Sequence, residues 1–125
     1  METKIILEQL TLIEQEMNIK FPELYKKYLS EEVKDSEDYE IINNRNENIY
    51  IYNCEYIKER NKTYEIQDVE PYYFLIGQDG DLGYYIYVKA GEEREIIYSL
   101  DLGALGSAEM DEEVSNIYNL GQHTN

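Results

Sequence analysis

Hydrophobic residues near the N-terminus recur at the spacing of an α-helix. Ile6, Leu10, Ile13 and Met17 follow one another at three- and four-residue intervals, and Glu and Gln side chains fill the opposite face. Residues 21–23, Phe-Pro-Glu, then begin a second helix, because proline is favoured at the first helical position, where its missing N–H is not needed. The pattern predicts two helices that meet at a proline-marked corner.

The central part of the chain alternates apolar and polar residues as β-strands do. We predict strands over residues 39–43 and 48–57, with a turn at residues 43–46 between them. In the longer strand, tyrosines alternate with isoleucines, which puts the two residue types on opposite faces. Residues 58–62 have the composition of a charged turn, and residues 63–66 fit a further short strand.

The clearest organisation lies between Pro71 and Leu100. Strands are predicted over residues 72–77, 83–89 and 94–100, and the connections between them contain Asp-Gly and Ala-Gly. Strands joined by such short links must be antiparallel, since a parallel return needs a long crossover. This part of the sequence therefore predicts a three-stranded meander.

The C-terminal part predicts a last helix over residues 108–120. Met110, Val114 and Ile117 share one face of that helix, and acidic residues fill its first turns, where the helix dipole favours negative charge. Gly121 is a typical helix stop, and we expect residues 122–125 to form a disordered tail. The elements together predict an α+β fold in one domain, residues 1–121. Two N-terminal helices precede a mostly antiparallel sheet of about five to six strands, and a short C-terminal helix follows it.

Charge narrows the classes of partner. The chain has 11 Lys and Arg residues against 27 Asp and Glu residues, a net charge of −16. Such a field repels phosphate backbones and anionic membranes, so we expect neither a nucleic acid nor a membrane as partner. It attracts basic proteins, although a solvated acidic surface explains the same composition. The high number of tyrosines, 14, also has two explanations: a protein interface, or the residue bias of an AT-rich genome.

The single cysteine, Cys54, rules out an internal disulfide and gives no indication of secretion. The N-terminal segment is amphipathic rather than a continuous apolar signal core, and no apolar run approaches the ~18 residues of a membrane span. We therefore expect a cytoplasmic protein that is a monomer or a weak dimer.

Residues capable of catalysis do not form a recognisable motif. Cys54 lies in a predicted strand, and the single histidine, His123, lies close to the C-terminus, so a Cys–His pair is not expected. Residues 79–81, Asp-Gly-Asp, fit a hairpin turn and lack the further ligands of a calcium loop. Paired carboxylates for hydrolysis stay open as an alternative, but 27 acids single out no pair. We predict no catalytic site, no metal and no cofactor.

Two stretches of the sequence resemble the SUKH superfamily, which includes the fungal cell-wall-assembly regulators and many bacterial toxin-immunity proteins. Residues 13–29 (IEQEMNIKFPELYKKYL) are similar to the opening helix, Pro-Glu corner and short Tyr/Leu helix of that superfamily. Residues 74–81 (FLIGQDGD), followed by the strand at residues 84–87, resemble its apolar-Ile-Gly turn. The resemblance implies the same order of helix, helix, sheet and helix.

The resemblance also implies a non-catalytic binding role, since bacterial members typically bind and neutralise a cognate toxin, in many cases a nuclease. An acidic protein can fill the basic cleft of a nuclease, so the partner predicted here is a basic toxin domain. The alternative is a general regulatory interaction module of the same fold without a toxin partner. The candidate contact residues lie on the meander and its turns: Asp79, Asp81, Tyr84, Tyr87, Glu92 and Glu93. Tyr84 and Tyr87 point to opposite faces of their strand, so at least one of them is expected to pack inside.

Overall fold

The two predicted N-terminal helices are present in the computed structural model, which describes residues 2–123. Helix α1 (Thr3–Met17) buries Ile6, Leu10 and Ile13, and it ends at Asn18 in the left-handed conformation. Helix α2 (Glu23–Tyr28) begins directly after Pro22, and a short π-helical segment (Leu29–Val33) continues it. The apolar periodicity and the proline corner therefore located both helices.

The strands form one antiparallel sheet in the order β6-β5-β4-β3-β2-β1-β7. Their bounds are β1 (Glu40–Ile42), β2 (Asn48–Ile51), β3 (Tyr73–Asp79), β4 (Leu82–Tyr87), β5 (Ile97–Asp101), β6 (Asp111–Val114) and β7 (Gln122–His123). The α+β class and the antiparallel sheet are confirmed. The sheet has seven strands among the described residues, where five to six were expected.

The predicted meander corresponds to β3, β4 and β5. Tyr73 pairs with Tyr87 at one end of the β3–β4 hairpin, and Asp79 pairs with Leu82 beside the turn at the other end. The register shifts between Leu75 and Gly77, where the side chain of any larger residue at position 77 would overlap a backbone carbonyl of β2. The glycine of the Ile-Gly motif is thus needed for the close approach of two strands.

The strand predicted over residues 48–57 is wrong beyond Ile51. The buried side chain of Asn53 accepts hydrogen bonds from the backbone N–H groups of Glu55 (2.9 Å) and Tyr56 (3.1 Å), which turns the chain into a helix. Helices α3 (Ile57–Thr63) and α4 (Ile66–Val69) follow, in place of the predicted charged turn and short strand.

Helix α3 is fixed to the sheet by one buried amide. The Asn61 side chain donates to the carbonyl of Leu75 (2.8 Å) and accepts from its N–H (2.7 Å), next to the irregularity in β3. This polar contact lies 14 residues away along the chain, and apolar periodicity does not report it. The local alternation over residues 48–57 was therefore outweighed by contacts with β3.

The predicted C-terminal helix is also wrong, because residues 111–114 pair with β5 as strand β6. Glu113 accepts hydrogen bonds from the Ser99 hydroxyl (2.8 Å) and the Arg45 guanidinium (3.0 Å), so its carboxylate stabilises the strand rather than a helix N-terminus. Only a short 3-10 helix (Ile117–Asn119) follows. Gln122 and His123, assigned to a disordered tail, pair with β1 as β7; residues 124 and 125 of that predicted tail lie outside the described residues.

Both faces of the sheet are covered. On one face, Phe74 contacts Phe21 with ring centroids 5.1 Å apart, and Tyr84 and Ile86 share this face. The opposite face carries Leu75 and Tyr85, both fully buried. At the end of the hairpin, the same face carries Tyr73 and Tyr87, which are partly exposed. Among residues 2–123, no helix has the length and apolar character needed to cross a membrane.

Candidate functional site

The β3–β4 hairpin divides the predicted contact residues into two groups. Asp79 and Asp81 flank the turn, whereas Tyr87 lies at the far end of the hairpin, with Glu92 and Glu93 in the following loop. Six residues of strand, at a rise of about 3.3 Å each, separate the two ends by roughly 20 Å. The six predicted residues therefore do not form a single cluster.

Tyr84 lies between these ends and is completely buried. Burial, followed by the negative charge of Glu113, raises the pKa of Tyr84 to about 12. Tyr87, on the opposite face of the strand, is only partly buried. The expected division between one inward and one outward tyrosine is thus observed, and Tyr84 is a core residue rather than a contact residue.

Tyr87 belongs to a group of aromatic side chains around one arginine, which we call the tyrosine–arginine cluster (Tyr72, Tyr73, Tyr87, Arg94 and Tyr98). The Arg94 guanidinium carbon lies 3.9 Å from the centroid of the Tyr87 ring, and its Nη1 donates a hydrogen bond to the Tyr98 hydroxyl (3.4 Å). Tyr73 meets Tyr87 and Tyr98 edge-on, with centroids 5.4 Å and 5.2 Å apart. Tyr72 is 46% exposed, so the cluster offers aromatic surface to solvent.

Glu92 closes one side of this cluster. Its carboxylate forms an ion pair with Lys89 (3.0 Å) and accepts a hydrogen bond from the Tyr87 hydroxyl (3.3 Å). The bond from Lys89 lowers the pKa of Glu92, so that carboxylate stays ionised. The Lys89 ammonium also lies 4.9 Å from the centroid of the Tyr72 ring. Glu93 is exposed beside this network.

A cleft of about 390 Å³ opens next to the tyrosine–arginine cluster, and we call it the acidic cleft. Its lining residues are Glu70, Tyr73, Arg94, Tyr98, Ala108, Glu109, Met110 and Glu112. Within residues 2–123, none of its three glutamates forms an ion pair or a side-chain hydrogen bond. The cleft thus combines three carboxylates outside any ion pair, against one arginine, with two tyrosine rings.

Sequence reasoning missed the acidic cleft because it assigned Glu109 and Glu112 to a helix. In the structure these residues lie before and within β6, and the cross-strand pair of Glu112 with Tyr98 brings the carboxylate to the aromatic face. Residues 110–114, Met-Asp-Glu-Glu-Val, show no alternation of apolar and polar residues that would indicate a strand, and the helical spacing of Met110, Val114 and Ile117 favoured a helix.

Cys54 and His123, the two residues considered for nucleophilic catalysis, make separate contacts and do not pair with each other. Cys54 is buried, its Sγ lies 2.8 Å from Gln9 Oε1, and burial raises the pKa of its thiol. The His123 ring stacks on Tyr39, with centroids 3.9 Å apart. In the part of the chain from residue 2 to residue 123, no group of three or more His, Cys, Asp or Glu side chains is arranged to hold a metal ion.

The family assignment follows from a comparison with family models. The model described as the SMI1 / KNR4 family (SUKH-1) matches residues 5–119. The chain belongs to the SUKH-1 family. No curated protein gives a significant match to the sequence. The resemblance in residues 13–29 and 74–81 is thereby confirmed, and in this SUKH-1 domain those stretches form the α1–α2 corner and the β3–β4 hairpin.

The matched region also contains the acidic cleft and the tyrosine–arginine cluster. Members of the SUKH superfamily act as immunity proteins that bind toxins. In this SUKH-1 domain, the tyrosine–arginine cluster and the carboxylates of the acidic cleft occupy neighbouring positions on one side of the sheet, which is an arrangement suited to a protein interface.

Proposed function

We propose that this SUKH-1 domain is an immunity protein that binds a basic toxin domain and neutralises it without catalysing a reaction. The observation that carries the proposal is the acidic cleft, with three carboxylates against one arginine, beside the tyrosine–arginine cluster, in a chain whose family includes toxin-immunity proteins. A nuclease toxin fits best, because its substrate-binding cleft is basic. The proposed action takes place in the cytoplasm, by a single domain that works as a monomer or a weak dimer.

In the proposed complex, charge would increase the rate of association, and aromatic contact area would stabilise the bound state. The net charge of −16, to which Asp79, Asp81, Glu92 and Glu93 contribute, speeds encounter with a basic surface. Stability of the complex then depends on a few residues that become fully desolvated, and Tyr and Arg are enriched among such residues. Tyr72 and Arg94 meet this description. Both side chains are exposed and belong to the tyrosine–arginine cluster, and Arg94 also lines the acidic cleft.

Co-expression with a toxin encoded next to this gene tests the proposal. We expect growth rescue and a complex that survives a pull-down. Tyr72→Ala should weaken affinity by about tenfold or more, since truncation of an interface anchor commonly has an effect of that size. Tyr64→Ala is the matched control, because Tyr64 is similarly exposed (39%) but lies outside the cluster.

Absence of both rescue and binding, against every toxin encoded nearby, would contradict the proposed function. Binding to a basic protein that has no toxic activity would instead support the alternative, a regulatory interaction module without a toxin partner. Equal effects of Tyr72→Ala and Tyr64→Ala would show that the tyrosine–arginine cluster is not the contact surface.

A further inference from the structure

Strand β6 ends the sheet within residues 2–123: β5 pairs with one side of it, and no described strand pairs with the other. An edge strand presents backbone N–H and C=O groups to which a further strand can bind. We infer that β6 is a docking strand, to which an extended basic segment of the partner adds by backbone pairing while one of its Arg or Lys side chains enters the acidic cleft. This inference rests on the proposed function.

The register of the sheet connects the edge to the cleft. Tyr98 on β5 pairs with Glu112 on β6, so both side chains lie on the sheet face that carries Tyr73. A strand added next to β6 would lie about 4.8 Å away and would send alternate side chains to that same face. Its side chains would therefore stand beside Glu112 at the opening of the acidic cleft.

The lining of the cleft selects a cationic side chain. Glu70, Glu109 and Glu112 supply three negative charges, none of them in an ion pair within residues 2–123, against the single positive charge of Arg94 in the same lining. Tyr73 and Tyr98 supply two aromatic rings, each with a hydroxyl. Arg94 already donates to that Tyr98 hydroxyl and stacks on Tyr87, which shows that a guanidinium fits this aromatic surface.

A second copy of the chain is a poor occupant of the same edge. Residues 111–113 are Asp-Glu-Glu, and two such strands placed side by side would bring like charges opposite one another. Acidic residues on an edge strand thus oppose self-pairing. The same residues attract a strand that alternates basic and neutral side chains, so charge complementarity identifies the occupant as a basic segment of another protein.

The test uses the full chain and a synthetic peptide of about ten residues, a usual strand length, in which arginine alternates with threonine. Fluorescence anisotropy measures affinity, and amide hydrogen exchange locates the bound peptide. We expect protection of Asp111–Val114. The same peptide, N-methylated at every residue, is the control for backbone pairing, and it should not bind.

Charge-matched variants separate the cleft from the general field of the protein. Glu109→Gln/Glu112→Gln should weaken peptide binding on the order of tenfold, because it removes two carboxylates at the contact. Glu31→Gln/Glu32→Gln changes the net charge equally, at exposed residues in the π-helical segment after α2, and should change affinity by less than about twofold. Unchanged thermal unfolding of both variants confirms that each is folded.

Any of three results with the peptide would overturn the inference: no binding of the unmethylated peptide, equal weakening by both double variants, or undiminished binding of the N-methylated peptide. A toxin that is neutralised equally well by Glu109→Gln/Glu112→Gln would reject the docking strand and leave the proposed function standing. Protection of β6 by the peptide, in a protein that rescues cells from no toxin, would reject the proposed function and keep the docking strand.

Discussion

Two adjacent tyrosines on β4 are equally buried but differ in hydrogen bonding. Tyr85 donates to the carbonyl of Leu100 (3.2 Å), whereas the Tyr84 hydroxyl has no hydrogen-bond partner among residues 2–123. Tyr85→Phe should lower the free energy of unfolding by about 1 kcal/mol, and Tyr84→Phe should leave it unchanged or raise it by up to about 1 kcal/mol. Urea denaturation of both variants measures the difference. Equal losses would show that Tyr84 has a polar partner in solution.

For individual residues of the site, the sequence predicted only which face of a strand each side chain occupies. The opposite orientations of Tyr84 and Tyr87 followed from their spacing, and the structure agrees. Arg94 was not recognised, because its position over the Tyr87 ring depends on how the loop at residues 88–96 returns to the sheet. Asp79 and Asp81 remain candidate contacts, and their distance from the cleft became apparent only from the length of the hairpin.

At the scale of elements, one carboxylate adds side-chain hydrogen bonds to the backbone pairing of β6 with β5. Glu113 accepts hydrogen bonds from Ser99 on β5 and from Arg45 in the β1–β2 turn. Glu113→Ala should raise amide exchange in β6 by about tenfold to a hundredfold, since loss of a charged hydrogen bond such as that from Ser99 costs about 1.5–3 kcal/mol. Glu112→Ala is the control, because Glu112 lies on the same strand without such a bond. Equal exchange in the two variants would contradict this role of Glu113.

Local patterns succeeded where neighbouring residues determine the element. The stripe of α1, the proline before α2 and the glycine turns of the meander are all local features, and each element formed as predicted. Residues 48–57 and 108–120 failed for the opposite reason. Asn53 and Asn61 fix helices by contacts with distant backbone, and Glu113 fixes a strand by contacts with two distant side chains. Local sequence patterns do not reveal hydrogen-bond partners that are distant along the chain.

The whole sheet curls, and a single long-range contact makes the curl evident. The ion pair of Arg45 with Glu113 joins the β1–β2 turn to β6, although three strands separate β2 from β6 in the sheet. A flat sheet could not bring these side chains within 3.0 Å of each other. The strand order places β6 at one edge of this curled sheet, and the acidic cleft lies on one face beside it, so the topology of the sheet brings together the parts of the proposed docking site.

The net charge has opposite effects on the stability of the folded protein and on its association with a basic partner. A charge of −16 opposes compaction through self-repulsion, so stability should rise as salt is added. Between ionic strengths of about 0.01 M and about 0.15 M, the Debye length falls from about 30 Å to about 8 Å, which removes most long-range repulsion. The same screening weakens attraction between this protein and a basic partner, so the association rate should fall about tenfold or more over that range.

Thermal unfolding and stopped-flow association in the same series of NaCl concentrations test both effects together. We expect the melting temperature to rise while the association rate falls, since one field causes both. Glu31→Gln/Glu32→Gln should reduce both slopes slightly, because it makes the net charge less negative without changing the acidic cleft. An association rate that does not change with salt would mean that the partner is not basic. In that case the acidic composition would describe only a solvated surface, and the aromatic cluster alone would have to account for recognition.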